Sequence, residues 1–153
     1  MNKLAIAAAV FASAVSVSVP AQEHWTEGPV WVITYYRTKP GKFDDYLKYI
    51  RSTYQALQAE NKRQGLVLDY KTFINSAQVD DKDWNIAFAT LFPSYGKAMD
   101  YNAADDARGK AIAEKHYKTA DEDKQRTMIE PRFGWRDFVS QRIVREVSLK
   151  PLP

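Results

Sequence analysis

The chain has 153 residues, of which 45% are hydrophobic and 27% are charged, a composition typical of a folded globular domain rather than a disordered segment. The formal net charge is only +3, and the basic residues form no stripe interleaved with aromatic rings, so nucleic acid is not an expected partner. There is no cysteine, which excludes disulfide bonds, thiolate catalysis and metal sites with cysteine ligands.

The N-terminal segment, residues 1–21, has the pattern of a secretory signal peptide. Lys3 provides a basic start, a run of small apolar residues follows, and the run ends at Val19-Pro20-Ala21, with small residues where a signal peptidase cleaves. A membrane anchor is the alternative, but the run is shorter than the roughly 20 residues of a membrane-spanning helix. We therefore expect cleavage near Ala21, a periplasmic or secreted protein, and no membrane insertion after cleavage.

The mature chain is expected to form one domain over residues 29–153, preceded by a polar and flexible N-terminus over residues 22–28. Residues 30–37 are β-branched or aromatic and predict the first strand. Pro40-Gly41 ends this strand, because proline has no N–H for a sheet and glycine permits a sharp turn.

An amphipathic helix is predicted directly after this turn. Its apolar side chains recur at spacings of three and four and form one stripe: Phe43, Tyr46, Leu47, Ile50, Tyr54 and Leu57. Asp44 and Asp45 lie in the first turn, where carboxylates favour the positive end of the helix dipole. Gly65 is the expected C-terminal cap.

Three more strands are predicted over residues 66–74, 84–92 and 142–150, with a second helix after Pro93. The order β-α-β-β-α-β predicts an α+β, ferredoxin-like fold with a four-stranded antiparallel sheet. Residues 103–140 exceed this minimal fold and predict a helical excursion before the last strand. Excursions of that length often cover or complete a site.

The first and third strands are apolar on both faces. In strand one the two faces carry Trp31, Ile33 and Tyr35, and Val30, Val32 and Tyr36. A sheet with helices on one side and water on the other would alternate, so something is expected to cover the second face. The simplest cover is a second copy of the sheet, which predicts a symmetric homodimer. The helical excursion is the other candidate.

The chain also repeats a short pattern. Trp31, Ile33, Tyr35 and Pro40 recur as Trp84, Ile86, Phe88 and Pro93, 53 residues later. Four matching positions do not establish a duplication, but in both copies a strand ends at a proline and a helix follows.

These two strand–proline–helix joints and the closing strand RIVREVSLKP resemble the dimeric α/β-barrel superfamily over residues 29–102 and 141–151. That superfamily includes antibiotic-biosynthesis-type monooxygenases, EthD-like, stress-responsive and NIPSNAP-like proteins, and haem-binding relatives of chlorite dismutase. The resemblance is architectural. It implies a homodimer with an apolar pocket between sheet and helices, and it does not imply one chemistry.

The aromatic residues are the main candidates for a ligand site. An apolar pocket for a small apolar or aromatic molecule would be lined by Trp31, Tyr35, Trp84, Phe88 and Trp135. The same five residues would also suit the core or the dimer interface, and the sequence leaves this alternative open.

The sequence contains no catalytic motif, and whether the protein is an enzyme stays open. A cofactor-independent, monooxygenase-like oxidoreductase would need a polar group in a dry cavity, for which Tyr36, Tyr70 and His116 are weak candidates. A haem-dependent enzyme is the less favoured alternative, because His116 has charged neighbours although haem-binding relatives use a helical histidine. No metal site and no cofactor are predicted, since the only other histidine is His24.

Overall fold

The structure is a computed structural model that describes residues 24–152. The expected signal peptide over residues 1–21 lies outside the described residues. The strands are β1 (Trp25–Thr38), β2 (Asp69–Ile74), β3 (Ile86–Phe92) and β4 (Arg136–Leu149). The helices are α1 (Phe43–Tyr49), α2 (Gln55–Arg63), α3 (Tyr95–Met99), α4 (Ala103–Tyr117) and α5 (Glu122–Ile129). A π-helical turn (Ile50–Tyr54) joins α1 to α2, and a 3-10 helix (Glu130–Gly134) precedes β4.

The four strands form one sheet in the order β2-β3-β1-β4, and all neighbours are antiparallel. The two central strands, β1 and β3, are each followed by helices. This is the ferredoxin-like βαββαβ arrangement with a helical excursion before the last strand, so the predicted fold class is confirmed.

Two predicted boundaries are wrong because β1 and β4 are longer than expected. β1 begins at Trp25, which pairs with Leu149, so residues 25–28 are part of the sheet rather than a flexible N-terminus. β4 begins at Arg136, so the helical excursion ends at Gly134 rather than at residue 140. A register shift in the β1–β4 pairing interrupts the alternation of apolar residues that would have marked the start of β4.

The first helix follows its predicted stripe. Tyr46 and Ile50 are buried and form one core cluster with Ile86 and Phe88 of β3. Gly65 has a φ of 72°, which confirms it as the residue that ends this helix, because glycine adopts the left-handed conformation without a steric penalty.

The excursion packs on the helical layer and not on the second face of the sheet. α4 lies against α2, where Arg108 Nη1 donates to the carbonyl of Gln64 at 3.1 Å, and Ile112 of α4 is buried. The excursion therefore does not cover the second face of the sheet, which was one of the two possibilities that the sequence left open.

Strand register assigns each side chain to one of two faces. The helix face, against which α1 and α2 pack, carries Val32, Thr34, Tyr36, Ile86, Phe88, Thr90 and Ile143. The open face carries Trp31, Ile33, Tyr35, Lys71, Phe73, Ala87, Ala89, Leu91, Arg142 and Val144. Both faces are apolar at their centres, as predicted.

Candidate functional site

A cavity of about 440 Å³ lies between the helix face and the helices above it. Its walls come from β1, β3, the first helix, the segment after α2, α4 and the start of β4. The lining residues are Val32, Thr34, Tyr36, Tyr46, Tyr49, Tyr54, Gln58, Asn61, Leu66, Val67, Phe88, Thr90, Phe92, Gly109, Arg132 and Arg136. Such a volume is typical of sites for small molecules, which occupy about 300–1,000 Å³.

The first helix supplies three tyrosines to this cavity. Tyr46 and Tyr49 lie less than one turn apart on α1, and their rings stack with centroids 6.0 Å apart. Tyr54 ends the π-helical turn, and its ring lies 4.2 Å from that of Phe88 on the sheet. π-helical turns occur frequently at functional sites, because they change which residues a helix directs toward one side.

Two arginines face these tyrosines at one end of the cavity, which we call the cationic end (Tyr46, Tyr49, Arg132 and Arg136). Arg136 Nη1 donates to the Tyr46 hydroxyl, and Arg132 Nη1 donates to the Tyr49 hydroxyl at 3.1 Å. The Arg136 guanidinium also lies 3.5 Å from the centre of the Tyr36 ring, a cation–π contact. Each guanidinium is therefore held against a ring or a hydroxyl of the cavity wall.

Main-chain hydrogen bonds hold the segment that carries both arginines. The Trp135 N–H donates to the Arg132 carbonyl at 3.1 Å, and the Trp135 carbonyl accepts from the Lys39 N–H at 2.9 Å. The second bond ties the segment to the end of β1, while Arg136 pairs with Thr38 in the sheet. The excursion thus supplies Arg132 and Gly109 to the cavity.

A second polar group in the cavity lining, which we call the amide end, consists of Tyr54, Gln58, Asn61 and Thr90. Gln58 Nε2 donates to the Thr90 hydroxyl at 2.9 Å and to the Tyr54 hydroxyl at 3.2 Å. Asn61 Nδ2 donates to Gln58 Oε1 at 2.8 Å. These groups are uncharged, so the positive charge of the cavity is concentrated at the cationic end.

Burial keeps two of the cavity tyrosines protonated. Burial raises the pKa of Tyr46 well above its usual value, although the neighbouring Arg136 opposes the shift. The pKa of Tyr54 is also raised by burial, against the opposing effect of its hydrogen bonds with Gln58 and Thr90. Both hydroxyls therefore stay protonated to a higher pH than an exposed tyrosine does.

The five aromatic residues predicted for a ligand pocket do not lie together. Phe88 lines the cavity, and Trp135 packs beside it with its ring 6.1 Å from that of Tyr49. Trp31 and Tyr35 lie on the open face, and Trp84 packs on Tyr35 there at 5.0 Å. The prediction of one pocket from all five is wrong, because the strand register puts Trp31 and Tyr35 on the open face and Phe88 on the helix face.

The three weak catalytic candidates are also separated. Tyr36 lines the cavity. Tyr70 lies on the edge strand β2, where it pairs with Thr90, but it is not among the lining residues. His116 lies outside the cavity, in a shallow depression between α2 and α4 that also involves Glu60 and Lys115. The structure therefore places only Tyr36 where the predicted chemistry would need it.

Sequence reasoning missed the cationic end. The segment Arg132-Phe133-Gly134-Trp135-Arg136 was visible as a polar and aromatic stretch, but nothing local connects it to the first helix. The better signal was the tyrosines of the helical stripe, because a buried tyrosine hydroxyl requires a hydrogen-bond partner. That requirement predicts polar side chains above the stripe without naming them.

Neither a metal site nor a membrane span emerges from the described part of the chain. Within residues 24–152, no group of three or more histidine, aspartate or glutamate residues is arranged to hold a metal ion. Over the same residues, no helix has both the length and the apolar character needed to cross a membrane.

Comparisons with known proteins give a distant structural likeness. No protein-family model matches the chain, and no curated protein matches it significantly. A crystal structure from Bacteroides fragilis NCTC 9343, described as a dimeric protein of unknown function and ferredoxin-like fold, is similar with a TM-score of 0.41 and 17% identity. The match covers 78% of this chain and 95% of that one. At this distance, the likeness transfers neither a function nor an assembly.

Proposed function

We propose that the protein binds a small apolar or aromatic molecule in the cavity between the helix face and the helices. The observation that carries this proposal is the cavity itself, about 440 Å³ in volume, with rings from Tyr36, Tyr54 and Phe88 and with polar groups at both ends. Ligand sites commonly combine largely apolar walls with a few polar groups that fix the orientation of the ligand.

Native mass spectrometry of the protein purified from its own source tests this proposal. We expect a retained small molecule in the wild-type protein and its loss in Gly109→Leu. Gly109 lines the cavity, and no atom lies within 4 Å of a Cβ added there, so a leucine can occupy cavity space without a backbone clash. Leucine also has a higher helix propensity than glycine, so α4 should remain folded.

Ala111→Leu is the matched control, because Ala111 is an exposed residue of the same helix that does not line the cavity. The control should retain the ligand. A wild-type protein without any retained molecule, or a Gly109→Leu variant that retains it fully, would contradict the proposal.

We also propose that the protein is a homodimer whose protomers meet through the open face. Phe73 and Val144 on this face are 44% and 42% exposed, and Trp31, Ile33 and Tyr35 are half-buried. The described helices pack on the other face. Of the two candidates that the sequence gives for covering the open face, only a second copy of the chain therefore remains.

Export is a proposal as well. It is supported by the basic start, the apolar run and the small residues up to Ala21. N-terminal sequencing of the protein from the cell envelope should give a start near Gln22. An intact Met1 in the exported protein would contradict it.

Oxidation of an electron-rich aromatic substrate without a cofactor stays the alternative prediction. It is supported by the position of Tyr36 at the cavity wall, where a hydroxyl could orient a substrate. Oxygen consumption by the colourless protein with a quinol, and its loss in Tyr36→Phe, is the expected outcome. The haem-dependent alternative has no such support, because His116 lies outside the cavity.

A further inference from the structure

The cationic end has two positive charges and no negative one. None of the described residues that line the cavity is acidic. Arg132 and Arg136 form no ion pair within residues 24–152, and both are half-buried. Among the described residues, the Nε atoms of Arg132 and Arg145 are both buried without a hydrogen-bond partner, but Arg145 has an ion pair with Glu27 and Arg132 has none.

The other arginines of the described chain are arranged differently. Five of them pair with carboxylates: Arg37 with Asp137, Arg63 with Glu60, Arg108 with Asp105, Arg126 with Asp123 and Arg145 with Glu27. Arg51 and Arg142 lack an ion pair but are exposed, so water solvates them. Half-burial without a counter-charge is therefore confined to the two arginines of the cavity.

Two neighbouring guanidiniums in a half-buried site repel each other and have lost part of their hydration, and an anion between them would relieve both costs. A guanidinium presents its N–H groups in a planar fork that matches the two oxygens of a carboxylate. Tyr46 and Tyr49 each accept a hydrogen bond from one of these arginines, which holds both guanidiniums at the cavity wall.

We propose that the ligand is a small aromatic carboxylate, with its carboxylate bound between Arg132 and Arg136 and its ring packed against Phe88. This inference rests on the proposed function and adds the charge and orientation of the ligand. The ring would lie between the cationic end and the amide end, where Gln58 and Asn61 are placed to contact a polar ring substituent.

Isothermal titration calorimetry with 2-naphthoate and its uncharged counterpart 2-naphthamide tests the inference. The two probes share one ring system and differ in charge. We expect wild-type protein to bind 2-naphthoate about tenfold to a hundredfold more tightly, the range expected for hydrogen bonds to charged groups. Arg132→Met should reduce this preference at least about fivefold while leaving the affinity for 2-naphthamide within about twofold.

Arg132→Met is the decisive variant, because Arg136 also pairs with Thr38 in the sheet and holds the buried Tyr46. Arg132→Lys, which keeps the charge but not the planar fork, should recover part of the preference. The control is Arg51→Met, which removes an exposed arginine from the first helix and should leave both affinities unchanged. Circular dichroism and melting temperatures establish that each variant is folded.

The possible failures are distinguishable. Equal affinity of the wild-type protein for the two probes would overturn the carboxylate inference and leave the proposed function in place. A preference that persists in folded Arg132→Met would also overturn it. Failure of both probes to bind would contradict the proposed function together with the inference.

Discussion

The helix face and the open face of the sheet are both apolar, yet they differ in what surrounds the apolar residues. On the helix face, large rings and small side chains such as Thr34 leave a cavity, and hydroxyl, amide and guanidinium groups converge on it. On the open face, Ala87 and Ala89 are each 1% exposed beneath larger neighbours, and the charged groups Lys71 and Arg142 are exposed. Converging polar groups, rather than apolar character, distinguish a binding cavity from a surface suited to association.

One charge placed on each face tests which face forms the dimer interface, and this is the largest effect that we expect. Ile33→Asp lies on the open face opposite Arg142, and a symmetric dimer would bury the new charge twice. Because removing each ion from water costs several kcal/mol even beside a counter-charge, we expect the dimer dissociation constant to rise about a thousandfold or more while the monomer stays folded. Analytical ultracentrifugation across protein concentrations measures the change.

The neighbouring Val32→Asp is the control, because Val32 lines the cavity on the helix face. It should lower the free energy of unfolding without producing a well-folded monomer. A wild-type protein that is monomeric at micromolar concentration, or an Ile33→Asp variant that remains a dimer, would show that the open face is not the interface.

The second prediction concerns the helix that covers the helix face. Ile50 is 4% exposed in the core cluster, and Ile50→Ala should cost about 2–5 kcal/mol of unfolding free energy. Leu47 is only half-buried, so Leu47→Ala should cost less, and exposed Lys48→Ala should cost about 0.5 kcal/mol or less. Urea denaturation of the three variants measures these differences, and equal small losses would show that the stripe is not core.

The parts of the structure that could be predicted are those that depend on local sequence patterns. The helical stripe and the strand order follow from local periodicity, because a pattern extended over many residues requires one side to be buried. The start of β1 depends on the pairing of Trp25 with Leu149, and the start of β4 depends on the pairing of Thr38 with Arg136, which local patterns do not contain.

The single aromatic pocket was mispredicted for a geometric reason. The repeat places Trp31 and Trp84 at matching positions 53 residues apart. In the sheet, Trp31 pairs with Leu91 and Thr34 with Phe88, so odd-numbered residues of both strands share one face. An odd offset therefore puts Tyr35 and its match Phe88 on opposite faces, and the repeat is not a structural equivalence.

The cationic end could not be predicted from the sequence. Arg132 and Arg136 bind tyrosines that are 83 and 90 residues earlier in the chain. A tertiary contact of that separation depends on how the excursion returns to the sheet, and no local spacing encodes it. That no acidic residue is among the described residues lining the cavity is likewise visible only once the cavity is assembled.

The smallest expected effect is on the stability of the protein at alkaline pH, and it tests the burial of the cavity tyrosine Tyr46. An unfolded tyrosine has a pKa of about 10, and burial raises the pKa of Tyr46 above this value in the folded protein. Below pH 10 Tyr46 is protonated in both the folded and the unfolded protein, and its burial contributes fully to the free energy of unfolding. As pH rises above 10 the unfolded chain loses its proton first, so the free energy of unfolding should fall by up to about 1.4 kcal/mol per pH unit for each such tyrosine.

Urea denaturation between pH 8 and 11 measures this slope in wild-type protein and in Tyr46→Phe. The variant lacks one ionisable hydroxyl, so its slope above pH 10 should be shallower, while its loss of the Arg136 hydrogen bond gives an offset that is constant at lower pH. Tyr101→Phe, at a site that is 80% exposed, is the control for removing a hydroxyl. Identical slopes in wild type and Tyr46→Phe would mean that the Tyr46 hydroxyl is solvated rather than buried between the first helix and the sheet.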